Sequence, residues 1–302
     1  MKILFLGGSE FSLESLKALC QAGHEVVGVV CQEDKPNLRG NKIEISPVKA
    51  FAQREGLKVF QFKKIKDGGA EVLKKLKPDL LVVVSYGQIL PQEIINLAPL
   101  GIINVHASLL PKYRGCSPII SAILNGEKKT GVTIMRIVKE VDAGDMLLQR
   151  EVEILEDDNA KTLSERLSKA GAELLVEAVK QIEAGITVET PQDPKLATFT
   201  KMIRKEDGLL DFSKPAFEAN NKIRAFNPNP GAFVLRDGEK IKIHQAKIVP
   251  ANEEISAGEI ISSSPKSGLV IKCGKDAIEI LKLQAPGGKI LDAKSFLNGR
   301  KF

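Results

Sequence analysis

Short apolar runs alternate with stretches of helical spacing along the first half of the chain, and this alternation restricts the fold more than any other feature. "KILFLG", "EVVGVVC", "KVFQF", "DLLVVVS" and "GIINVH" read as strands, because each is a brief Val/Ile/Leu-rich run bounded by glycine, proline or charge. Between them lie "SLESLKALCQAG", ending at Gly23, "SPVKAFAQREG" and "GGAEVLKKLKP". The second of these has Ser46 as N-cap, Pro47 in the first turn and Gly56 beyond the end. "SPIISAILNG" reads as a further helix, "GVTIMRIV" and "DMLLQREVEI" as strands, and "NAKTLSERLSKAGAELLVEAVKQIEAG" as a long helix. Parallel strands need a crossover to connect them, and a helix supplies it. The expected fold is therefore α/β, with a Rossmann-like, mostly parallel sheet covered on both faces. In such sheets ligands lie beyond the carboxyl ends of the strands.

After residue 188 the texture changes. "TPQDPKLATFTKMIRKEDG" has prolines, polar residues and no period, and reads as a linker. "FEANNKIRAF" can form a helix, and short β-like runs follow, with Asp237-Gly238 as a hairpin signal. Several short strands in so short a segment suggest a small all-β, OB-like barrel. The expected division is 1–188, a linker at 189–206, and a second domain at 207–302, and a chain of 302 residues can hold two domains. Charge divides with it. Residues 195–302 carry 19 Lys+Arg against 12 Asp+Glu, while residues 1–194 carry 25 against 26. A polyanionic partner for the last third and a solvated lysine-rich surface both account for this excess.

Other classes are disfavoured. No apolar run reaches the roughly 18 residues that a spanning helix needs, and "MKILFLGGSEF" lacks the long apolar region of a signal peptide. Cys20, Cys31, Cys116 and Cys273 are scattered, which fits a reduced cytoplasm better than a zinc site or a disulfide scaffold. "LFLGGSEF" is not the G-x-G-x-x-G of a dinucleotide fold, since Phe11 stands near the place of the third glycine; a tight strand-to-helix turn explains its glycines. There is no nucleophile elbow, no H-E-x-x-H and no Walker A.

The chain has three histidines, and one stands in "NVHASLLPKYRG". Asn104 and His106 are two apart at a strand end, so their side chains share one face. Asn can donate to an oxygen as it becomes negative. His can take or give a proton near neutral pH. A lone histidine is often structural; the neighbouring asparagine and the polar loop after it favour a site. Downstream, Asp142 and Asp145 flank Gly144 in "KEVDAGDMLLQR", a stretch that suits a carboxylate orienting an imidazole and also an ordinary turn. Asn, His and Asp without a metal suit direct transfer of an acyl-like group between two bound substrates, with attack by an amine and a tetrahedral oxyanion.

"NVHASLLPKYRG" together with "VDAGDM" resembles the signature of the folate-dependent formyltransferases: Asn-x-His, Ser-Leu-Leu-Pro, then Asp-x-Gly-Asp. "VVVSYGQILP" and "GVTIMRIV" are similar to that family too. "SPVKAFAQREGLKVFQ", "TFTKMIRKEDGLLDF" and "IRAFNPNPGAF" extend the resemblance nearly end to end to its tRNA-formylating members. The resemblance implies 10-formyltetrahydrofolate as co-substrate, no metal, and initiator methionyl-tRNA as the partner that presents the amine. It implies that Asn104 polarises the formyl oxygen, that His106 is the acid or base on the amine, and that Asp142 orients or charges His106. It assigns Gln88, Ile89 and Leu90 to the pterin site with the Ile137–Gly144 loop opposite, and the Ser108, Leu109, Leu110, Pro111 turn to its floor, with a cis bond before Pro111. Arg39 and Lys42 would read the acceptor stem, and Arg204 and Lys205 would track its backbone. The loop "LRGNKIE" departs from the family's Arg-Gly-Lys-Lys core at Asn41 and Glu44, and "FLGGSEF" replaces Gly-Thr-Pro-x-Phe, with Phe11 retained. A cytoplasmic protein is expected, and nothing in the sequence demands more than a monomer. Three rivals remain: a sugar-nucleotide amine N-formyltransferase using the same donor, an OB-type RNA-binding protein without activity and, weakest, an NAD-dependent oxidoreductase.

Overall fold

The structure is a computed structural model that describes residues 1–36, 43–300 and 302. Arg39 and Lys42 lie outside the described residues. Contacts divide the chain into two compact units. The first comprises Met1–Gly115, Thr130–Val152 and Ser164–Phe199; the second comprises Cys116–Lys129, Glu153–Leu163 and Thr200–Phe302.

The chain runs β1 (Lys2–Gly7), α1 (Glu10–Gln21), β2 (Glu25–Cys31), β3 (Lys35–Pro36), β4 (Ile43–Glu44), α2 (Pro47–Arg54) and β5 (Val59–Gln61). It continues through α3 (Gly69–Lys74), β6 (Leu80–Val84), α4 (Gln92–Ile95), β7 (Ile102–His106), α5 (Pro118–Leu124), β8 (Lys129–Arg136), β9 (Met146–Glu153) and α6 (Ala160–Glu183). One seven-stranded sheet has the order β5-β2-β1-β6-β7-β8-β9. The pairs from β5 to β7 are parallel and β7–β8 is antiparallel. β1 is the first strand, and its two neighbours lead the chain outward in opposite directions. The order therefore reverses between β1 and β6, where an open α/β sheet opens a crevice. β6 is buried along its whole length, as its unbroken "LLVVV" requires of a strand covered on both faces. Leu81 and Val83, on one face of β6, join Leu4, Leu6, Val30, Ile94 and Ile102 in one apolar cluster.

Helix starts follow local chemistry. Ser46 caps α2, its hydroxyl accepting from Lys49 N–H at 3.1 Å, with Pro47 in the first turn. α1 starts likewise at Ser9, which accepts from Ser12 N–H at 3.3 Å. Among the described residues no helix is long and apolar enough to cross a membrane.

In the second unit, α7 (Ala216–Ala225) packs against α5. Beyond it come β10 (Ala232–Arg236), β11 (Glu239–Val249), β12 (Ile260–Ser264), β13 (Gly268–Lys272), β14 (Ala277–Gln284), β15 (Leu291–Asp292) and α8 (Ala293–Gly299). These strands form an all-antiparallel sheet on the path β10-β11-β14-β13-β12, with β15 on β14. Asp237 and Gly238 join β10 to β11 with φ of +50° and +78°. Two central residues of positive φ make the turn whose twist matches a hairpin, which is why Asp-Gly signals it. Register shifts in β11 let that strand bend.

Candidate active site

Asn104 and His106 lie on the last three residues of β7. Asn104 is in register with Val83 of β6 and Met135 of β8, and His106 with Thr133. The site thus begins at the carboxyl end of an interior strand, next to the place where the strand order reverses. His106 is 6% exposed. Its Nε2 lies 3.0 Å from the Tyr113 carbonyl oxygen. A carbonyl can only accept, so Nε2 carries the hydrogen and donates it. In the neutral ring the basic nitrogen is then Nδ1, and Nδ1 faces Asp142 Oδ2 at 3.7 Å. Asn104 is only partly buried.

The loop after β7 is rigidly bonded. Leu110–Pro111 is a cis peptide. The Thr133 hydroxyl donates to Ser108 O at 2.7 Å and accepts from Leu110 N–H at 3.1 Å. Gln149 Nε2 donates to Leu110 O and to Thr133 Oγ1, both at 2.9 Å. Ser108 Oγ donates to Lys112 O at 2.6 Å. Ser108 and Leu110 are buried, while Leu109 and Pro111 are partly exposed.

Asp142 sits in the turn between β8 and β9 with φ +49°, a left-handed conformation that Asp tolerates better than most residues. Its Oδ2 accepts from Gly115 N–H at 2.7 Å. Gly144 is buried, and a Cβ there would come within 2.0 Å of Arg136 O, so only glycine fits. Sequence reasoning placed Asp142 beside His106 only through the resemblance; the fold brings them together from opposite ends of the β7–β8 pair.

One participant escaped the sequence reading. Gln192 donates through Nε2 to Asp142 O at 2.9 Å and to Gly144 O at 2.7 Å, and its Oε1 accepts from Arg114 Nε at 2.9 Å. It lies in the aperiodic stretch read as a linker, where neither spacing nor composition marks it. Its only signal is a glutamine between a proline and an aspartate.

The residues expected around the pterin fall on neighbouring loops. Gln88 lies just beyond β6, where its side chain is occupied structurally: Oε1 accepts from Ile65 N–H at 2.8 Å and Nε2 donates to Phe62 O at 3.1 Å. Ile89 is 93% exposed. Leu90 and Ile137 both pack against the cluster that contains Tyr86 and Ile102. Arg204 and Lys205 are exposed at the turn leading into Glu206–Gly208. Among the described residues no group of three or more His, Cys, Asp or Glu could hold a metal ion.

This geometry and the sequence meet in a known group. Residues 1–179 match the family described as formyl transferase, and residues 202–301 match the formyl transferase C-terminal domain. The chain belongs to the formyl transferase family. Its relatives along the full length include the methionyl-tRNA formyltransferase of Sulfurihydrogenibium sp. (strain YO3AOP1), 46% identical over 100% of this chain and 97% of that protein. That of Caldanaerobacter subterraneus subsp. tengcongensis is 43% identical over 99% of this chain and 97% of that protein. Among solved structures, the N-formyltransferase of Helicobacter canadensis, crystallised with folinic acid and dTDP-3-aminofucose, has a TM-score of 0.70 at 20% identity, covering 93% of this chain and 99% of that one. HypX of Aquifex aeolicus in complex with tetrahydrofolic acid has a TM-score of 0.68 at 20% identity, covering 98% of this chain and 47% of that one. At such identity these two share the fold.

Proposed function

We propose that this chain transfers the formyl group of 10-formyltetrahydrofolate to the free amino group of initiator methionyl-tRNA. The observation that carries the chemistry is the His106 ring: Nε2 donates to a carbonyl, Nδ1 remains as the base, and a carboxylate stands 3.7 Å from it. Identity of 46% over the whole chain to a methionyl-tRNA formyltransferase supports the acceptor.

The donor supplies an activated formyl carbon. The acceptor amine attacks that carbon, a C–N bond forms, and the bond from the carbon to N10 of the donor breaks. His106 Nδ1 takes a proton from the attacking nitrogen, and the departing N10 gains one, so the exchange balances without a metal. Asp142 stabilises the imidazolium while it lasts. Asn104, two residues back on the same face of β7, donates its amide to the formyl oxygen as that oxygen gains charge. The segment Gln88–Leu90 beyond β6 and the Ser108–Pro111 turn beyond β7 hold the pterin. They follow adjacent strands, and the peptide edges of Ile89 and Leu90 lie outside any strand or helix. Ile137 and Gly144 bound the opposite side.

Residues 1–188 carry the reacting groups in this reading, 189–206 lead to the second domain after bracing the site through Gln192 and Thr198, and 207–302 bind tRNA together with Arg39, Lys42, Arg204 and Lys205. The protein works as a cytoplasmic monomer. The deciding experiment offers purified protein and 10-formyltetrahydrofolate two acceptors side by side, methionyl-tRNA and an amino-sugar nucleotide. Formylation of the tRNA is expected; consumption of the sugar nucleotide with the tRNA left untouched would replace the acceptor.

A further inference from the structure

We infer that Gln192 is a positioning residue that fixes the Asp142 carboxylate relative to His106. The inference rests on the catalytic reading of Asp142 given above.

Asp142 has a left-handed backbone conformation, φ +49°, which Asp tolerates and which its surroundings hold in place here. Two neighbours hold it. Gly115 N–H reaches the carboxylate, and the Gln192 amide reaches the backbone carbonyl of Asp142 itself. The second hydrogen of the same amide goes to Gly144 O, so one side chain spans the turn on either side of Ala143. Gln192 is 8% exposed, and both its amide hydrogens and its carbonyl oxygen are used.

The third bond gives the arrangement its purpose. Gln192 Oε1 accepts from Arg114, the residue after Tyr113, whose carbonyl receives the His106 ring hydrogen. The segment that carries Gln192 is itself anchored at both ends. Thr190 and Met146 exchange backbone hydrogen bonds at 2.9 Å. At the other end Thr198 O accepts from Arg114 N–H, and Thr198 Oγ1 accepts from Tyr113 N–H, both at 2.8 Å. Thr190–Thr198 is thus a strap with the Asp142 turn bound near its start and the partner loop of His106 bound at its end. It sets the separation of the two groups that handle the proton, and Gln192 is the point where both loops are tied.

The test is a double-mutant cycle on formyl transfer with Gln192→Leu, Gln192→Glu and Asp142→Asn. Leu removes all three hydrogen bonds at similar size. Glu keeps an acceptor for Arg114 and loses both amide donors, and it serves should the Leu variant fold poorly. Each Gln192 variant is expected to lower kcat by about tenfold or more and to leave both KM values within about twofold. In the Asp142→Asn background the same Gln192 change should cost less than about twofold, since no carboxylate remains to be placed. A full, multiplying loss in that background would make Gln192 a general structural residue and overturn the inference, as would wild-type kcat in Gln192→Glu. A second readout needs no activity. The 15N resonance of His106 Nδ1 at fixed pH should move in the same direction in Gln192→Leu, which adds no charge, as in Asp142→Asn, and an unmoved or oppositely moved resonance overturns the inference. A wild-type protein that leaves methionyl-tRNA unformylated would instead remove the proposed acceptor, and the resonance would still decide the role of Gln192.

Discussion

His106 has one nitrogen committed to a backbone carbonyl and one free to act as a base, and that division of labour comes from the loop rather than from the ring. Asn104 shares its strand face, and the proposed mechanism gives it a separate task on the formyl oxygen. Asn104→Ala should lower kcat by about 100- to 1000-fold with tRNA affinity retained, the loss expected for an oxyanion donor; filter binding beside steady-state rates checks it. Away from the site, a buried thiol sets a pH limit. Burial raises the Cys273 thiol from 9.0 to about 11. Below pH 9 the thiol is protonated whether the chain is folded or unfolded. Between about 9 and 11 it ionises only when unfolded, so the unfolded state binds fewer protons and stability falls as pH rises. Burial also pushes the Tyr86 phenol from 10.0 up to about 12, which continues the decline at higher pH. Melting curves across this range should fall less steeply for Cys273→Ala than for the wild type.

At the scale of elements, the site is a matter of which loops can be fastened to which strand ends. Thr133 on β8 holds the Ser108–Leu110 turn through its hydroxyl as both donor and acceptor. Thr133→Val keeps the shape and removes these two bonds and the one from Gln149, and should cost about 1–3 kcal/mol of stability by calorimetry, with a loss of folate affinity. Gly144→Ala should act on rate instead. The added carbon would meet Arg136 O at 2.0 Å, so the turn must move and take Asp142 with it; kcat should fall by about tenfold or more while tRNA still binds. The elements themselves were largely legible. Apolar runs found the parallel strands, Ser46 and Pro47 found the start of α2, and Asp237-Gly238 found its hairpin, because each signal is a local energetic preference. Short pieces such as α4, α8 and β15 were not legible, since so few residues carry no period and their formation depends on what they pack against. The aperiodic stretch after residue 188 reads in the sequence as a linker. Its order comes from hydrogen bonds to residues 48 to 85 positions away, which no local pattern encodes.

At the scale of the molecule, charge and chemistry occupy different parts of the chain. The basic excess lies in residues 195–302, whereas Asn104, His106 and Asp142 lie before it. Binding of tRNA should therefore depend on salt through residues that leave the chemistry alone. Replacing Arg204 and Lys205 together with alanine should lower the slope of log affinity against log salt by about two, roughly one per lost phosphate contact, with kcat at saturating tRNA little changed. Equal slopes in variant and wild type would remove both residues from the interface. The sequence by itself determined the two-part architecture, the parallel order implied by strand–helix alternation, and the pairing of Asn104 with His106 on one strand face. All of these follow from short-range periodicity and propensity. Only the tertiary structure decided that Asp142 faces the ring nitrogen at 3.7 Å, that the other ring nitrogen is held by Tyr113, and that Gln192 ties the two loops together. Those distances join segments separated by tens of residues, and they are fixed by packing and hydrogen-bond satisfaction across the fold rather than by any neighbour in the chain.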